Sequence, residues 1–106
     1  MGFFDFFRSP DIDAGVAQYK NTNNAVLLDV RTKEEYAEGH IEDSVNVPLD
    51  SVMSVEKVVK DKNTPLFVYC FSGSRSGQAV SFLKRMGYND VTNIGGICNY
   101  SGKAVK

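Results

Sequence analysis

The sequence predicts an α/β domain with a mostly parallel sheet, because short apolar runs alternate with segments of helical spacing along the chain. The run at 25–30 is almost continuously apolar, which is typical of a strand covered on both faces in a parallel sheet. A second apolar run at 65–69 is followed by a short polar loop and then by helical spacing over 78–86. Strand, loop and helix in this order favour a sheet with helices packed against it.

The first third of the chain begins the alternation. Residues 11–13 predict a short edge strand, and residues 14–20 predict a brief helix that ends in a polar turn. Thr32 and Glu35 have the spacing of a capping box, in which each side chain accepts a backbone N–H at the start of a helix. A second helix is therefore predicted to begin there and to end at Gly39.

The rest of the chain continues the pattern. Strands are predicted at 44–48, 65–69 and 90–94, and helices at 52–59 and 78–86. Asp50 or Ser51 is expected to cap the first of these helices, and the glycine pair 95–96 is expected to need unusual backbone angles. Because sites in such sheets lie outside the carboxyl ends of the strands, we expect Asp29, Cys70 and the glycine pair at one edge.

Composition excludes several classes of function. The chain has 106 residues, a formal net charge of −1 and interspersed charges, which favours neither nucleic acid nor an anionic membrane as a partner. It has two cysteines, Cys70 and Cys98, too few for a disulfide framework and without the companions of a zinc site. We therefore expect no metal and a reducing, cytoplasmic setting.

The start of the chain is rich in phenylalanine. We expect one domain over 1–106, with residues 1–10 as a packed or flexible N-terminal segment. The apolar part is short and is interrupted by Asp5, so it predicts neither a signal peptide nor a membrane-spanning helix. Phe6 stands where a myristoylation signal has Ser or Thr, so we expect no such modification.

The loop at 70–76 is the candidate site. A polar loop that leads from a strand into a helix aims backbone N–H groups inward, and the helix N-terminus adds a partial positive charge. Such a cradle would stabilise the thiolate of Cys70, which would then be a nucleophile. The alternative is an inert, buried cysteine. The expected anion-binding residues are Phe71, Ser72, Gly73, Ser74, Arg75 and Ser76.

Five segments carry a family pattern. In chain order they are Leu28-Asp29-Val30-Arg31 with Glu35-Tyr36, Gly39-His40-Ile41 with Asn46-Val47-Pro48, the Cys70 to Ser76 loop, Gly87-Tyr88, and Asn93-Ile94-Gly95-Gly96. Together they resemble the rhodanese-like sulfurtransferase family in its single-domain form, over about 25–100. The chain departs from the family at 42–44, where Gly-Ala is common, and at Tyr100, where tryptophan is common.

The resemblance implies a five-stranded, mostly parallel sheet flanked by helices on both faces. It also implies that Cys70 carries a persulfide sulfur from a donor such as thiosulfate to a nucleophilic acceptor such as cyanide or a thiol. No cofactor is expected, because the cysteine itself carries the sulfur. The expected partners are a small-molecule donor and acceptor, or a protein donor, acting on a monomer.

The sequence is compatible with two other functions. A cysteine-based phosphatase uses a similar cradle but needs the longer C-x5-R loop, whereas Cys70 and Arg75 form C-x4-R. A rhodanese-like binding or redox-sensing module would keep the fold without turnover. The intact cysteine argues against an inactive module but not against a sensor.

The remaining polar residues allow structural interpretations. The three loop serines either hydrogen-bond a persulfide or cap the helix, and we expect at least one of them to cap it. We interpret His40 as structural, and we expect Asp29 and Arg31 to pair at the strand end. Cys98 is either an inert thiol or, on the same rim as Cys70, a resolving thiol that forms a disulfide with it.

Overall fold

The computed structural model describes residues 10–106 of the chain. The role expected for residues 1–10 therefore lies almost entirely outside the described residues. The helices are α1 (Ile12–Lys20), α2 (Lys33–Glu38), α3 (Val55–Val58) and α4 (Ser74–Arg85), with 3₁₀ segments at Leu49–Ser54 and Ile97–Asn99. The strands are β1 (Val26–Asp29), β2 (Val45–Asn46), β3 (Leu66–Cys70) and β4 (Val91–Gly96).

The strands form one parallel sheet in the order β2-β1-β3-β4. Leu28 pairs with Val68, and Val68 pairs in turn with Asn93. The register between β3 and β4 then shifts, so that Cys70 lies opposite Gly96. The described residues thus contribute four strands to the sheet, one fewer than the resemblance implies, and they confirm the α/β class.

The edge strand predicted at 11–13 is wrong. Asp11 instead caps α1, because its Oδ1 accepts hydrogen bonds from the backbone N–H groups of Asp13 at 3.1 Å and Ala14 at 3.3 Å. An aspartate in this position satisfies donors that the first helical turn leaves unpaired. The side-chain cap therefore places Ile12 in a helix, where it is buried.

Helices cover both faces of the sheet, as predicted. Successive residues of a strand point to opposite faces, so each strand contributes to two apolar clusters. The cluster that includes α1 contains Ile12, Val16, Leu27, Ile41, Phe67, Tyr69 and Ile94. The cluster on the face of α3 and α4 includes Leu28, Val30, Val55, Leu66, Val68, Cys70, Ala79 and Leu83. The side chain of Cys70 thus lies on the face of the sheet that α4 covers.

The capping box predicted for α2 is confirmed. The Thr32 hydroxyl accepts from the Glu35 N–H at 3.1 Å, and the Glu35 carboxylate accepts from the Thr32 N–H at 3.1 Å. Glu35 is thereby fixed at the start of α2. The same carboxylate also accepts hydrogen bonds from Arg75 of α4.

The helix predicted over 52–59 forms only in part. Residues Leu49–Ser54 are a 3₁₀ segment with a kink at Ser51, and one α-helical turn follows as α3. No side chain caps either segment, so the caps expected at Asp50 or Ser51 are wrong. The helix is incomplete because the segment is rich in valine, and β-branched side chains lose rotamer freedom in a helix.

Among residues 10–106, no helix has the length and apolar character needed to cross a membrane.

Candidate active site

A short loop connects the central strand to the helix that follows it. Cys70 is the last residue of β3, and α4 begins at Ser74, four residues before the prediction. Gly73 has a φ of 104°, a left-handed conformation that favours glycine. This residue turns the chain so that the first turn of α4 faces back toward the cysteine.

The sulfur of Cys70 accepts hydrogen bonds from this loop. The backbone N–H of Gly73 lies 3.0 Å from Sγ, and the backbone N–H of Ser76 lies 3.3 Å from it. The Ser76 hydroxyl is 3.4 Å from the same atom. Cys70 itself is 1% exposed. The predicted cradle of N–H groups is therefore present, and it converges on the sulfur.

The environment of Cys70 acts on its thiol in two directions. Burial raises the pKa, because a charged thiolate is costly away from water. Hydrogen bonds from the Ser76 side chain and from the backbone of Ser76, Gly73 and Ser72 act the other way, and the net result is a lowered pKa. A lowered thiol pKa increases the fraction of thiolate near neutral pH, and the thiolate is the nucleophile.

The three loop serines have different surroundings. Ser76 is buried against the sulfur, whereas Ser72 and Ser74 are exposed. The expected serine cap is wrong, because Gly73 is the N-cap of α4 and no side-chain cap bond forms. The Cys70 sulfur replaces the serine oxygen as acceptor for an N–H of the first turn. A helix start without a side-chain cap leaves its N–H groups directed at the site.

Arg75 is part of an ion pair. Its Nη1 and Nη2 donate to the two carboxylate oxygens of Glu35 at 2.6 and 3.0 Å. The side-chain hydrogen bond from Arg75 holds the pKa of Glu35 at about 2. Arg75 thus connects α4 to α2, and Glu35 balances much of its charge. Its remaining N–H groups are the ones that a bound anion could use.

The ion pair predicts a change of stability with pH. A carboxyl whose pKa is depressed in the folded state stabilises the fold above its unfolded pKa, and that contribution is lost as pH falls. The window for Glu35 runs from about 4.5 down to about 2. We expect Glu35→Gln to lower the free energy of unfolding by about 1 kcal/mol at pH 7, since the pair is partly exposed and screened.

The measurement is urea unfolding of wild type and variant at several pH values. The difference between the two should shrink as pH falls through the window and vanish near its lower end. Glu34→Gln is the control, because Glu34 is an exposed neighbour on the same helical turn. A difference that stays constant with pH would contradict the assigned ion pair.

Asn93 belongs to the site although the sequence did not single it out as functional. Its Oδ1 accepts from the Ser76 hydroxyl at 2.7 Å and from the Gly95 N–H at 3.0 Å. Its Nδ2 donates to the Gly73 carbonyl oxygen at 3.2 Å. The available signal was a polar residue inside the apolar strand β4, two positions before a glycine pair. The side chain ties the loop to the neighbouring strand.

The other predicted polar residues have structural partners. Arg31 donates to both carboxylate oxygens of Asp29, with Nη2 to Oδ2 at 2.7 Å, so the expected pair is confirmed. The same Nη2 donates to the Gly39 carbonyl oxygen. The His40 ring stacks on the Tyr36 ring with 3.7 Å between the ring centroids. His40 Nδ1 also forms a hydrogen bond with the backbone carbonyl oxygen of Tyr36. These contacts support the structural interpretation of His40.

Cys98 lies at the same edge of the sheet as Cys70. Its backbone N–H donates to the Phe71 carbonyl oxygen at 3.0 Å, and its side chain is exposed. Both thiols are free. The Phe71 side chain is also exposed, next to the cysteine in the loop. The resolving role of Cys98 stays a prediction.

A shallow pocket opens beside the loop. It has a volume of about 130 Å³ and is lined by Val30, Thr32, Pro48, Leu49, Asp50 and Arg75. Within residues 10–106, no cluster of three or more His, Cys, Asp or Glu side chains could hold a metal ion. The pocket thus lies next to the Arg75 side chain, at the start of α4.

Comparison with known proteins gives consistent matches. The family model described as "Rhodanese-like domain" matches residues 14–103. The chain is 40% identical over 80 residues to thiosulfate sulfurtransferase PspE of Escherichia coli, covering 74% of this chain and 77% of PspE. It is 36% identical over 92 residues to the adenylyltransferase and sulfurtransferase uba4 of Ogataea parapolymorpha, covering 86% of this chain but only 24% of that protein.

A solved structure agrees with these matches. The structure described as a rhodanese with anions from E. coli superposes with a TM-score of 0.72 at 38% identity. The superposition covers 77% of this chain and 98% of that one. The range matched by the family model, residues 14–103, includes the strand, loop and helix that surround Cys70.

Proposed function

Because the chain belongs to the rhodanese-like domain family, we propose that it is a sulfurtransferase in which Cys70 carries the transferred sulfur. The observation that supports this most directly is the convergence of two backbone N–H groups and a hydroxyl on the Cys70 sulfur. The name of the PspE relative favours thiosulfate as the donor to test first.

In the first half-reaction, the Cys70 thiolate attacks the outer sulfur of thiosulfate. A new S–S bond forms on Sγ, the bond between the two thiosulfate sulfurs breaks, and its electron pair leaves with sulfite. The product is an anionic persulfide on Cys70. The N–H groups of the loop and of the first turn of α4 are preorganised donors for this charge.

In the second half-reaction, cyanide or a thiolate attacks the outer sulfur of the persulfide. The acceptor takes the sulfur, and the electron pair of the broken S–S bond returns to Sγ as the thiolate. The cysteine is thus restored without an external oxidant or reductant, and no cofactor takes part in the proposed cycle. The two half-reactions predict ping-pong kinetics.

The test is thiocyanate production from thiosulfate and cyanide by the purified protein. Incubation with thiosulfate alone should also add one sulfur atom to the Cys70 peptide, as detected by mass spectrometry. Addition of cyanide should then remove it. Absence of both thiocyanate and the modified peptide would rule out the proposed activity with this donor.

Arg75 provides a second prediction for the same assay. Cys70 contributes to the raised pKa of Arg75, after the larger effect of Glu35, so the guanidinium lies near the site. We expect Arg75→Ala to raise the KM for thiosulfate by roughly tenfold, because a charged donor to a dianion is lost. An unchanged KM would mean that the backbone N–H groups alone bind the donor.

Glu35→Gln is the matched variant for Arg75. It removes the negative charge that balances the guanidinium but leaves the arginine in place. If Arg75 contributes to donor binding, this variant should keep or lower the KM for thiosulfate while Arg75→Ala raises it. An equal increase in both variants would show that the ion pair only supports the loop.

A further inference from the structure

The Ser76 hydroxyl has more acceptors around it than protons to give. Its oxygen lies 2.7 Å from Asn93 Oδ1, 3.0 Å from the Gly73 carbonyl oxygen and 3.4 Å from Cys70 Sγ. A serine hydroxyl carries one proton and can also accept hydrogen bonds. The sulfur and the two oxygens therefore compete for the same proton.

Asn93 is held in the orientation that lets it compete. The backbone N–H of Gly95 can only donate, and it lies 3.0 Å from Oδ1. The carbonyl oxygen of Gly73 can only accept, and it lies 3.2 Å from Nδ2. These two contacts fix which end of the amide faces Ser76, so the atom at 2.7 Å from the hydroxyl is an acceptor.

We propose that Asn93 is a positioning residue that competes with the Cys70 sulfur for the Ser76 proton and so sets the basicity of the nucleophile. In the thiol form, the S–H donates to Ser76 Oγ, and the Ser76 O–H donates to Asn93 Oδ1. When the thiol proton leaves to solvent, the hydroxyl turns its own proton to Sγ. The thiolate gains a donor, and Asn93 loses one.

This competition affects both half-reactions, on the premise of the proposed sulfur transfer. The Cys70 sulfur is the nucleophile in the first step and the leaving group in the second. Thiolate nucleophilicity rises with pKa, whereas a leaving thiolate departs faster when its pKa is low. An uncharged residue that keeps the pKa of Cys70 at an intermediate value therefore favours both steps.

The charged groups around the sulfur stay the same when Asn93 is replaced. Arg75 approaches from α4 and is balanced by Glu35 from α2. Asp29 and Arg31 pair with each other at the end of β1. Because asparagine is uncharged, any pKa change in an Asn93 variant would come from hydrogen bonding or from movement of the loop.

These two causes would change the pKa of Cys70 in opposite directions. Loosening of the loop would draw the N–H groups away from Sγ and raise the pKa of Cys70. Removing Asn93 Oδ1, the nearer of the two competing oxygens, would leave only the Gly73 carbonyl oxygen in competition, so the Ser76 proton would be more available to the thiolate and the pKa of Cys70 would fall. We expect Asn93→Leu, which keeps the shape of the side chain, to lower the pKa of Cys70 by about half to one pH unit, and Ser76→Ala to raise it by about one.

The experiment measures the rate of iodoacetamide labelling of the Cys70 peptide against pH by mass spectrometry, which separates it from Cys98. It needs no sulfur transfer, so its failure is distinct from failure of the proposed function. In the double variant with Ser76→Ala, Asn93→Leu should have no further effect. Asn89→Leu is the control, since Asn89 bonds Asn63 at the opposite edge of the sheet.

An unchanged or raised pKa in folded Asn93→Leu would overturn the proposal, as would an equal decrease in the Ser76→Ala background. Circular dichroism shows whether each variant is folded. Asn93→Val tests the same point if the leucine variant does not fold, because its β-branched side chain suits a strand and has no polar atom that could accept the Ser76 proton.

Discussion

Cys70→Ser is expected to reduce thiocyanate production by more than about 10³-fold. A serine hydroxyl is far less acidic than a thiol and cannot form a persulfide. The N–H groups of Gly73 and Ser76 that now meet Sγ can still meet an oxygen at that position. The substitution therefore removes the atom that carries the sulfur but keeps a hydrogen-bond acceptor for the N–H groups of the loop.

The assay is paired with thermal unfolding of the same variant. A melting temperature close to that of wild type would show that the activity was lost through chemistry. Cys98→Ser is the matched control, because it removes the exposed thiol and should retain transfer from thiosulfate to cyanide. Thiocyanate production by Cys70→Ser at the wild-type rate would exclude Cys70 as the sulfur carrier.

Gly96→Ala is expected to have the largest structural effect on the site. Gly96 lies on β4 opposite Cys70, with ordinary extended backbone angles. A Cβ added there would overlap the Phe71 carbonyl oxygen and would lie 2.5 Å from Ser72 Cα. Both neighbours are backbone atoms of the loop that follows Cys70, so the loop itself must move.

We expect this variant to lose about 2 kcal/mol of unfolding free energy, since overpacking of a well-packed site costs about 1–3 kcal/mol. Sulfur transfer should fall by about 10²-fold, because a shift of about 1 Å displaces the N–H donors from the sulfur. Urea unfolding and the thiocyanate assay measure the two effects separately.

Gly77→Ala is the matched glycine variant. Its added Cβ would lie 3.5 Å from Asn93 Nδ2, an ordinary contact, and the position is inside α4. Alanine favours a helix over glycine by about 1 kcal/mol, so stability should stay the same or rise. Wild-type stability and activity in Gly96→Ala would contradict the close approach of the loop to β4.

Local sequence patterns determined much of this protein. The alternation of apolar runs and helical spacing predicted the mostly parallel α/β sheet, because the periodicity of buried positions differs between strand and helix. The family resemblance added the helices on both faces. The Thr32 and Glu35 spacing predicted the start of α2 correctly. The polar loop after β3 predicted the N–H groups that surround the Cys70 sulfur. These features depend on residues close together in the chain.

Other local predictions were wrong where two tendencies compete over a few residues. Asp11 was placed in a strand, although its side chain caps α1. The valine-rich segment after Pro48 forms a 3₁₀ segment and one helical turn. The glycine pair was predicted to need unusual backbone angles, and only Gly95 has them, with a φ of 105°.

Tertiary structure alone decided which distant groups contact the loop and helix that follow Cys70. Glu35 and Arg75 are 40 residues apart, and Asn93 is 17 residues from Ser76. Gly96 is required because the Phe71 backbone passes over it, and its own conformation would suit any residue. These contacts follow from the sheet order, which places β1, β3 and β4 side by side, and from the shifted register of β3 and β4. Both bring together groups that no local pattern relates.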